Sequence, residues 1–167
     1  ILVDFANAFP SLSHVFLWLT LAYIGIPDFI INAIKQLYKN NKNFWRYRGF
    51  TKEVYTELAG VNEGGPLSAM LFVIATDAFL AALETPLEVG DLLLAYADDI
   101  AAVIRNLWLT GPRIDMMFDK FAKISNLKLK PSKFVVIPLW SCNLANVATL
   151  LHELIPGWRL FVVAAAG

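Results

Sequence analysis

With 167 residues, 57% of them apolar, the chain has the size of one domain with a sizeable core. Its formal net charge of zero argues against a free-standing nucleic-acid binder held mainly by phosphate contacts, so any grip on a polyanion must be local or supplied by other parts of a larger protein. The single cysteine, Cys142, excludes an internal disulfide framework and is compatible with a reducing compartment, and no repeat or low-complexity tract interrupts the chain.

Ile1-Leu2-Val3 reads as the end of a buried strand from which Asp4 emerges. This opening has no charged n-region, initiator Met or cleavage signature, so it is not a signal peptide and suggests a piece of something longer. Ser11 or Ser13 caps a helix from about Ser13 to Ile24, packed through Val15, Phe16, Trp18, Leu19, Leu21 and Ala22. Gly25-Ile26-Pro27-Asp28 ends it and starts the next, about Asp28 to Lys39, with Phe29, Ala33, Ile34 and Leu37 as the inward stripe. Neither Phe16 to Ile34 nor Pro66 to Leu83 offers about 20 clean apolar residues, so buried helices are expected rather than membrane spans.

Lys35, Lys39, Lys42, Arg46 and Arg48 are punctuated by Tyr38, Phe44, Trp45 and Tyr47. This basic, aromatic segment reads either as a solvated helix face running into a hairpin or as a surface that tracks a nucleic-acid backbone. The hairpin is expected near Phe44 to Tyr47 and Val54 to Leu58, turning at Arg48-Gly49. Gly60 to Pro66 holds three glycines and a proline, which lets the backbone turn sharply and a partner approach closely before Pro66 opens a helix ending near Glu84. Ser68 and the free amides there could meet a phosphate or a base edge, although such a segment is more often just a loop.

Leu92 to Ala95 and Ile100 to Ile104 flank Tyr96-Ala97-Asp98-Asp99, the turn of a second hairpin. Two adjacent carboxylates in an apolar setting repel each other, and the usual relief is a divalent cation that takes oxygen ligands; a solvated Asp-rich turn is the plain alternative. Gly111-Pro112 is expected to break the chain before a helix carrying Ile114, Met117, Phe118, Phe121, Ala122 and Ile124 to about Ser125. Short strands at Leu127, Leu129 and Phe134 to Ile137 flank Lys130-Pro131-Ser132-Lys133, and a helix near Leu144 to Leu154 precedes a strand near Leu160 to Val163. The class is α+β, with helices covering one face of a mainly antiparallel sheet.

Asp4-Phe5-Ala6-Asn7-Ala8-Phe9, Gly64-Gly65-Pro66-Leu67-Ser68 before a helix, Tyr96-Ala97-Asp98-Asp99, and Leu127-Lys128-Leu129 with Lys133 follow one another over residues 1–137. This order resembles the palm of reverse transcriptases, most of all the non-LTR retrotransposon (LINE-type) branch. The resemblance implies a polymerase palm with a ferredoxin-like or RRM-like core. Residues 1–138 would be the motif-bearing core, 139–167 a helix and strand leading toward a primer grip, and the fingers and thumb would lie outside residues 1–167. It implies RNA-directed DNA polymerase activity that joins deoxynucleotides to a primer 3′-hydroxyl. The partners would be an RNA template, a DNA primer, deoxynucleoside triphosphates and the fingers and thumb in cis, with no membrane and an intracellular location, the nucleus for the parent element.

By the same resemblance two Mg²⁺ ions, with Mn²⁺ as a substitute, are held by Asp4, Asp98 and Asp99 and by the backbone of Phe5. Phe9 resembles the steric gate against the nucleotide 2′-hydroxyl, with a core ring as the alternative. Gly64, Gly65, Pro66, Ser68 and Tyr96 belong to the nucleotide and template surface, and Lys133 matches a lysine near the triphosphate that stabilises or protonates the leaving pyrophosphate. Glu63 replaces the usual Gln, Gly65 a common Cys, Ala69 a common Pro and Asn126 the usual Gly. A truncated, inactive retroelement remnant is the alternative reading, and a nucleotide cyclase with a similar two-metal palm a third, disfavoured by Phe9 and Gly64 to Ser68.

Overall fold

A computed structural model of the chain describes residues 1–62, 64–156, 158 and 161–162. β1 (Leu2–Asp4) lies in the middle of a five-stranded sheet, antiparallel to β5 (Asp99–Val103) on one side and to β6 (Val135–Val136) on the other. β4 (Leu92–Tyr96) pairs antiparallel with β5, and β7 (Phe161–Val162) adds to β6 in parallel, giving the order β4-β5-β1-β6-β7. The pleat decides which face is covered. Cross-strand partners Val3 and Ile100 are buried in the core, whereas Leu2 and Leu94 stand on the open face.

The helices explain the covered face. α4 (Ser68–Glu84) buries Ser68, Leu71, Phe72, Ala75, Thr76, Phe79 and Leu83, the three- and four-residue spacing of a single helical stripe. α5 (Leu107–Ser125) contributes Ile114, Phe118 and Phe121, and the Phe79 and Phe121 rings stack 3.9 Å apart. α6 (Leu144–Leu154) starts at Asn143, whose side chain accepts from the backbone N–H groups of Ala145 and Asn146. Among the described residues no helix is long and apolar enough to cross a membrane.

Four expectations are corrected. Gly111-Pro112 does not break the chain, because α5 runs through it from an Asn106 cap. A proline in the sixth helical position costs the one bond that its own N–H would have made to Trp108, and Gly111 lets Ile155 close in: a Cβ there would come within 2.9 Å of Ile155 Cδ1. α2 (His14–Tyr23), capped by Ser13 as expected, buries Leu17, Thr20 and Leu21 and leaves Val15, Leu19 and Ala22 exposed; it is apolar around its circumference, so periodicity gives no direction. α3 (Asp28–Leu37) buries Ile31 and Ile34, not Phe29, Ala33 and Leu37, which are exposed. Its phase is set by Tyr38, buried one residue beyond the helix against His14 and Ser68. Leu127 is buried without joining a strand, while Leu129 makes one bridge to Phe5.

Smaller differences concern boundaries. The basic hairpin runs over β2 (Lys42–Tyr47) and β3 (Phe50–Thr56), and α4 starts at Ser68 after a turn at Pro66 and Leu67. A short helix, α1 (Ala8–Ser11), precedes α2. Leu160, Val163 and Glu63 lie outside the described residues.

The C-terminal part is held by Trp158, which lies 4.0 Å from the Phe134 ring and donates from Nε1 to Asp115 Oδ1 at 2.5 Å. Burial pushes the Asp115 carboxyl above its ordinary range; the Trp158 bond opposes the shift and the neighbouring Asp119 charge adds to it. A raised carboxyl pKa means the unfolded chain ionises first, so this group's penalty is absent below the unfolded value of about 4, grows as pH rises from there, and is complete above the folded value. Asp115→Asn keeps an oxygen acceptor for the indole. It is therefore expected to flatten the loss of stability as pH rises above about 4, measured as urea midpoints against the parent chain. Parallel midpoints in both proteins across that range would count against the assignment.

Candidate active site

In β1 Leu2 is exposed while Val3 and Asp4 are buried, as is Phe5 just beyond the strand, and Asp4 is the direct cross-strand partner of Asp99. The β4–β5 hairpin closes through Ala97 and Asp98, with Tyr96 paired to Asp99. Ala97 takes φ 54°, a left-handed conformation that favours glycine, so backbone strain is stored next to the two carboxylates. Asp98 is half-buried in the turn, and Asp99 and Tyr96 are exposed.

A fourth charged group completes the cluster. Lys130 N–H donates to the Asp4 carbonyl at 2.8 Å, which docks the tight turn Pro131–Lys133 on the end of β1 and brings Lys133 Nζ onto Asp4 Oδ2 as an ion pair. The hydrogen bond to Asp4 and its charge hold the Lys133 ammonium above its ordinary pKa, with smaller help from Asp99 and Asp98 and partial opposition from desolvation. Three carboxylates and one cation, drawn from positions 4, 98, 99 and 133, thus share the open end of the sheet. The donor set is hard oxygen, which suits Mg²⁺ rather than zinc. Among the described residues, however, no three His, Cys, Asp or Glu side chains are gathered as a metal site, and Lys133 holds the Asp4 carboxylate.

The remaining predicted residues lie on the path from Phe9 to α4. Asn7 turns the chain with φ 50° into α1, and the Phe9 ring stacks on Phe72 of α4 at 4.7 Å and 11°. Phe9 is half-buried, so it is both a packed ring and a partly open surface. Its carbonyl accepts from Val61 N–H at 2.8 Å, and Leu12 carbonyl accepts from Gly60 N–H at 2.7 Å, so the glycine-bearing loop is laced to α1. Gly64 and Pro66 are exposed and Gly65 is half-buried. Ser68 differs from expectation: its side chain is buried, with Oγ 3.4 Å from the Tyr38 hydroxyl, so it joins α4 to the end of α3 instead of facing outward.

Sequence reading missed two supports of this loop. His14 donates from Nε2 to the Gly60 carbonyl at 2.7 Å, and Asn41 reaches both Glu57 and Asn62. A lone His on an apolar helix carries no such signal; its partner is 46 residues away. Gly60 itself has φ 88°, and a Cβ would lie 2.5 Å from the Pro10 carbonyl oxygen. Gly60→Ala is expected to cost about 1–3 kcal/mol from the left-handed backbone alone and more from the clash. Urea unfolding checks this, and a change below about 0.5 kcal/mol would refute it.

The sequence profile described as "Reverse transcriptase (RNA-dependent DNA polymerase)" matches residues 1–143, which contain all four of these charged residues. The chain belongs to the reverse transcriptase family. It is 29% identical over 136 residues to the retrovirus-related Pol polyprotein from type-2 retrotransposable element R2DM of Drosophila melanogaster, covering 78% of this chain and 13% of that protein. It is 28% identical over 143 residues to the retrovirus-related Pol polyprotein from type-1 retrotransposable element R2 of Bradysia coprophila, covering 83% of this chain and 16% of that protein. The matched region thus spans less than a fifth of either relative.

Proposed function

We infer that this reverse transcriptase chain is the palm of a LINE-type RNA-directed DNA polymerase, with the fingers and thumb supplied in cis by a longer parent. The observation that carries this reading is the cross-strand pairing of Asp4 with Asp99 beside Asp98 and Lys133. The strand order β4-β5-β1-β6 supports a ferredoxin-like palm: two strand-helix-strand units with the first strand central, and helices on one face. Residues 1–138 are the catalytic core in this reading, and 139–167 lead toward the primer grip.

Asp4, Asp98 and Asp99, with the Phe5 carbonyl, would hold two Mg²⁺ ions, or Mn²⁺ in their place. When bound, such ions clamp the attacking and leaving oxygens of an in-line phosphoryl transfer. The rest falls to the chain's own groups. Lys133, seated on the Asp4 carboxylate, would give a proton from Nζ to the leaving pyrophosphate once Asp4 is otherwise engaged. The Phe9 ring, braced from behind by Phe72, closes the space a 2′-hydroxyl would need. Gly64 and Gly65 let template or nucleotide approach the backbone before Pro66, and Tyr96 flanks the carboxylates from its exposed position.

Glu63, a carboxylate where the resemblance implies an amide beside template and nucleotide, favours the second reading, an inactive remnant. Mg²⁺-dependent extension of a DNA primer on an RNA template decides between them, comparing this chain with the parent protein that includes fingers and thumb. Extension by the parent establishes the polymerase reading; none from a folded parent leaves the remnant.

A further inference from the structure

The β2–β3 hairpin is a two-stranded sheet of its own, with no third strand among the described residues. It turns at Arg48 and Gly49, both left-handed, the two-residue turn that matches the strand twist. Between Lys42 and Thr56 the chain carries Lys42, Arg46, Arg48 and Lys52 against Glu53 alone, in a protein whose net charge is zero. The register sorts these groups. Trp45 opposes Lys52 and Tyr47 opposes Phe50, so these four side chains share one face. Phe44 opposes Glu53 on the other face, where Lys42 pairs with that carboxylate at 2.8 Å.

One face therefore presents aromatic rings and cations with no carboxylate. Trp45, Tyr47 and Phe50 are 55%, 52% and 78% exposed. Trp45 and Tyr47 stack on each other 5.4 Å apart at 17°, and Arg48 sits 5.2 Å over the Tyr47 ring. Interfaces with proteins are depleted in lysine at their centres, whereas flat rings flanked by Arg and Lys are the arrangement that takes unpaired bases and their phosphates.

We propose that the Trp45-Tyr47-Phe50 face of the β2–β3 hairpin, with Arg48 and Lys52, binds single-stranded nucleic acid by base stacking and phosphate contacts. This surface lies on a different sheet from the Asp4, Asp98 and Asp99 carboxylates, and its binding does not depend on catalysis. The probes are labelled oligouridylate and oligothymidylate of about 12 nucleotides and a duplex of equal length, followed by fluorescence anisotropy in buffer free of divalent cations. The chain is expected to bind both single strands at least about tenfold tighter than the duplex, whose bases are already stacked. Trp45→Ala is expected to weaken binding about tenfold without changing its salt slope, Trp45→Phe to restore most of it, and Lys52→Gln to reduce the slope by about 0.7.

Equal affinity for duplex and single strand overturns the proposal, as does no binding, or Trp45→Ala binding like the parent chain. If Trp45→Ala alters self-association alone, the face is a protein interface and the proposal fails.

Discussion

Asp98→Asn is expected to lower Mg²⁺-dependent primer extension by the intact parent protein about 10³-fold or more, from loss of several kcal/mol of charge stabilisation in the transition state. Asparagine has nearly the same shape but no charge, and Asp98 lies in a two-residue turn outside the strands, half-buried. Folding is therefore expected to change by less than about 0.5 kcal/mol, which separates a chemical defect from a structural one. Asp4 is a poorer test residue because removing its charge also leaves Lys133 without its partner. Activity of Asp98→Asn equal to that of the parent sinks the two-metal reading. If the folded parent is inactive, Glu63→Gln comes next, since Glu63 places a carboxylate where the family usually has an amide.

Phe72→Ala is expected to have the largest effect on stability. Its ring is fully buried, packs within α4 against the sheet-facing core and carries the Phe9 ring on one side. Emptying such a site costs about 3–5 kcal/mol, out of a total stability of about 5–15 kcal/mol. With a urea slope of about 2 kcal/mol/M the midpoint falls by about 2 M. Phe72→Leu keeps most of the volume and loses the flat stacking partner, so it is expected to cost less stability. In the active parent it should relax discrimination against ribonucleotides, if Phe9 is the gate. A midpoint shift under about 0.5 M for Phe72→Ala would show that Phe9 and its neighbours collapse into the space.

Local chemistry made much of the fold legible. The Ser13 cap, the Arg48-Gly49 turn and the Tyr96 to Asp99 hairpin all depend on near neighbours, and their positions agree with what those residues prefer on their own. Where local signals failed, the deciding partner was distant or the segment was apolar on every side. α2 and α3 rotated away from the expected stripe, and α5 passed through Gly111-Pro112, with Ile155 packed close against the glycine. The buried Ser68 has the same origin, since Tyr38 is 30 residues away.

The sequence by itself determined the family, the Ser13 cap, the hairpin turns and which carboxylates, ring and lysine are candidates, because motif order and turn chemistry are written in short stretches. Only the tertiary structure decided that Asp4 stands opposite Asp99, that Lys133 crosses 129 positions to pair with Asp4, and that the aromatic and cationic side chains of one hairpin fall on a single face. Those outcomes rest on strand register and pleat. Pairing between distant segments is set by the whole core, and a shift of one residue would turn Asp4, Asp99 and the hairpin side chains to the other face, while Lys133 follows the turn docked on Asp4.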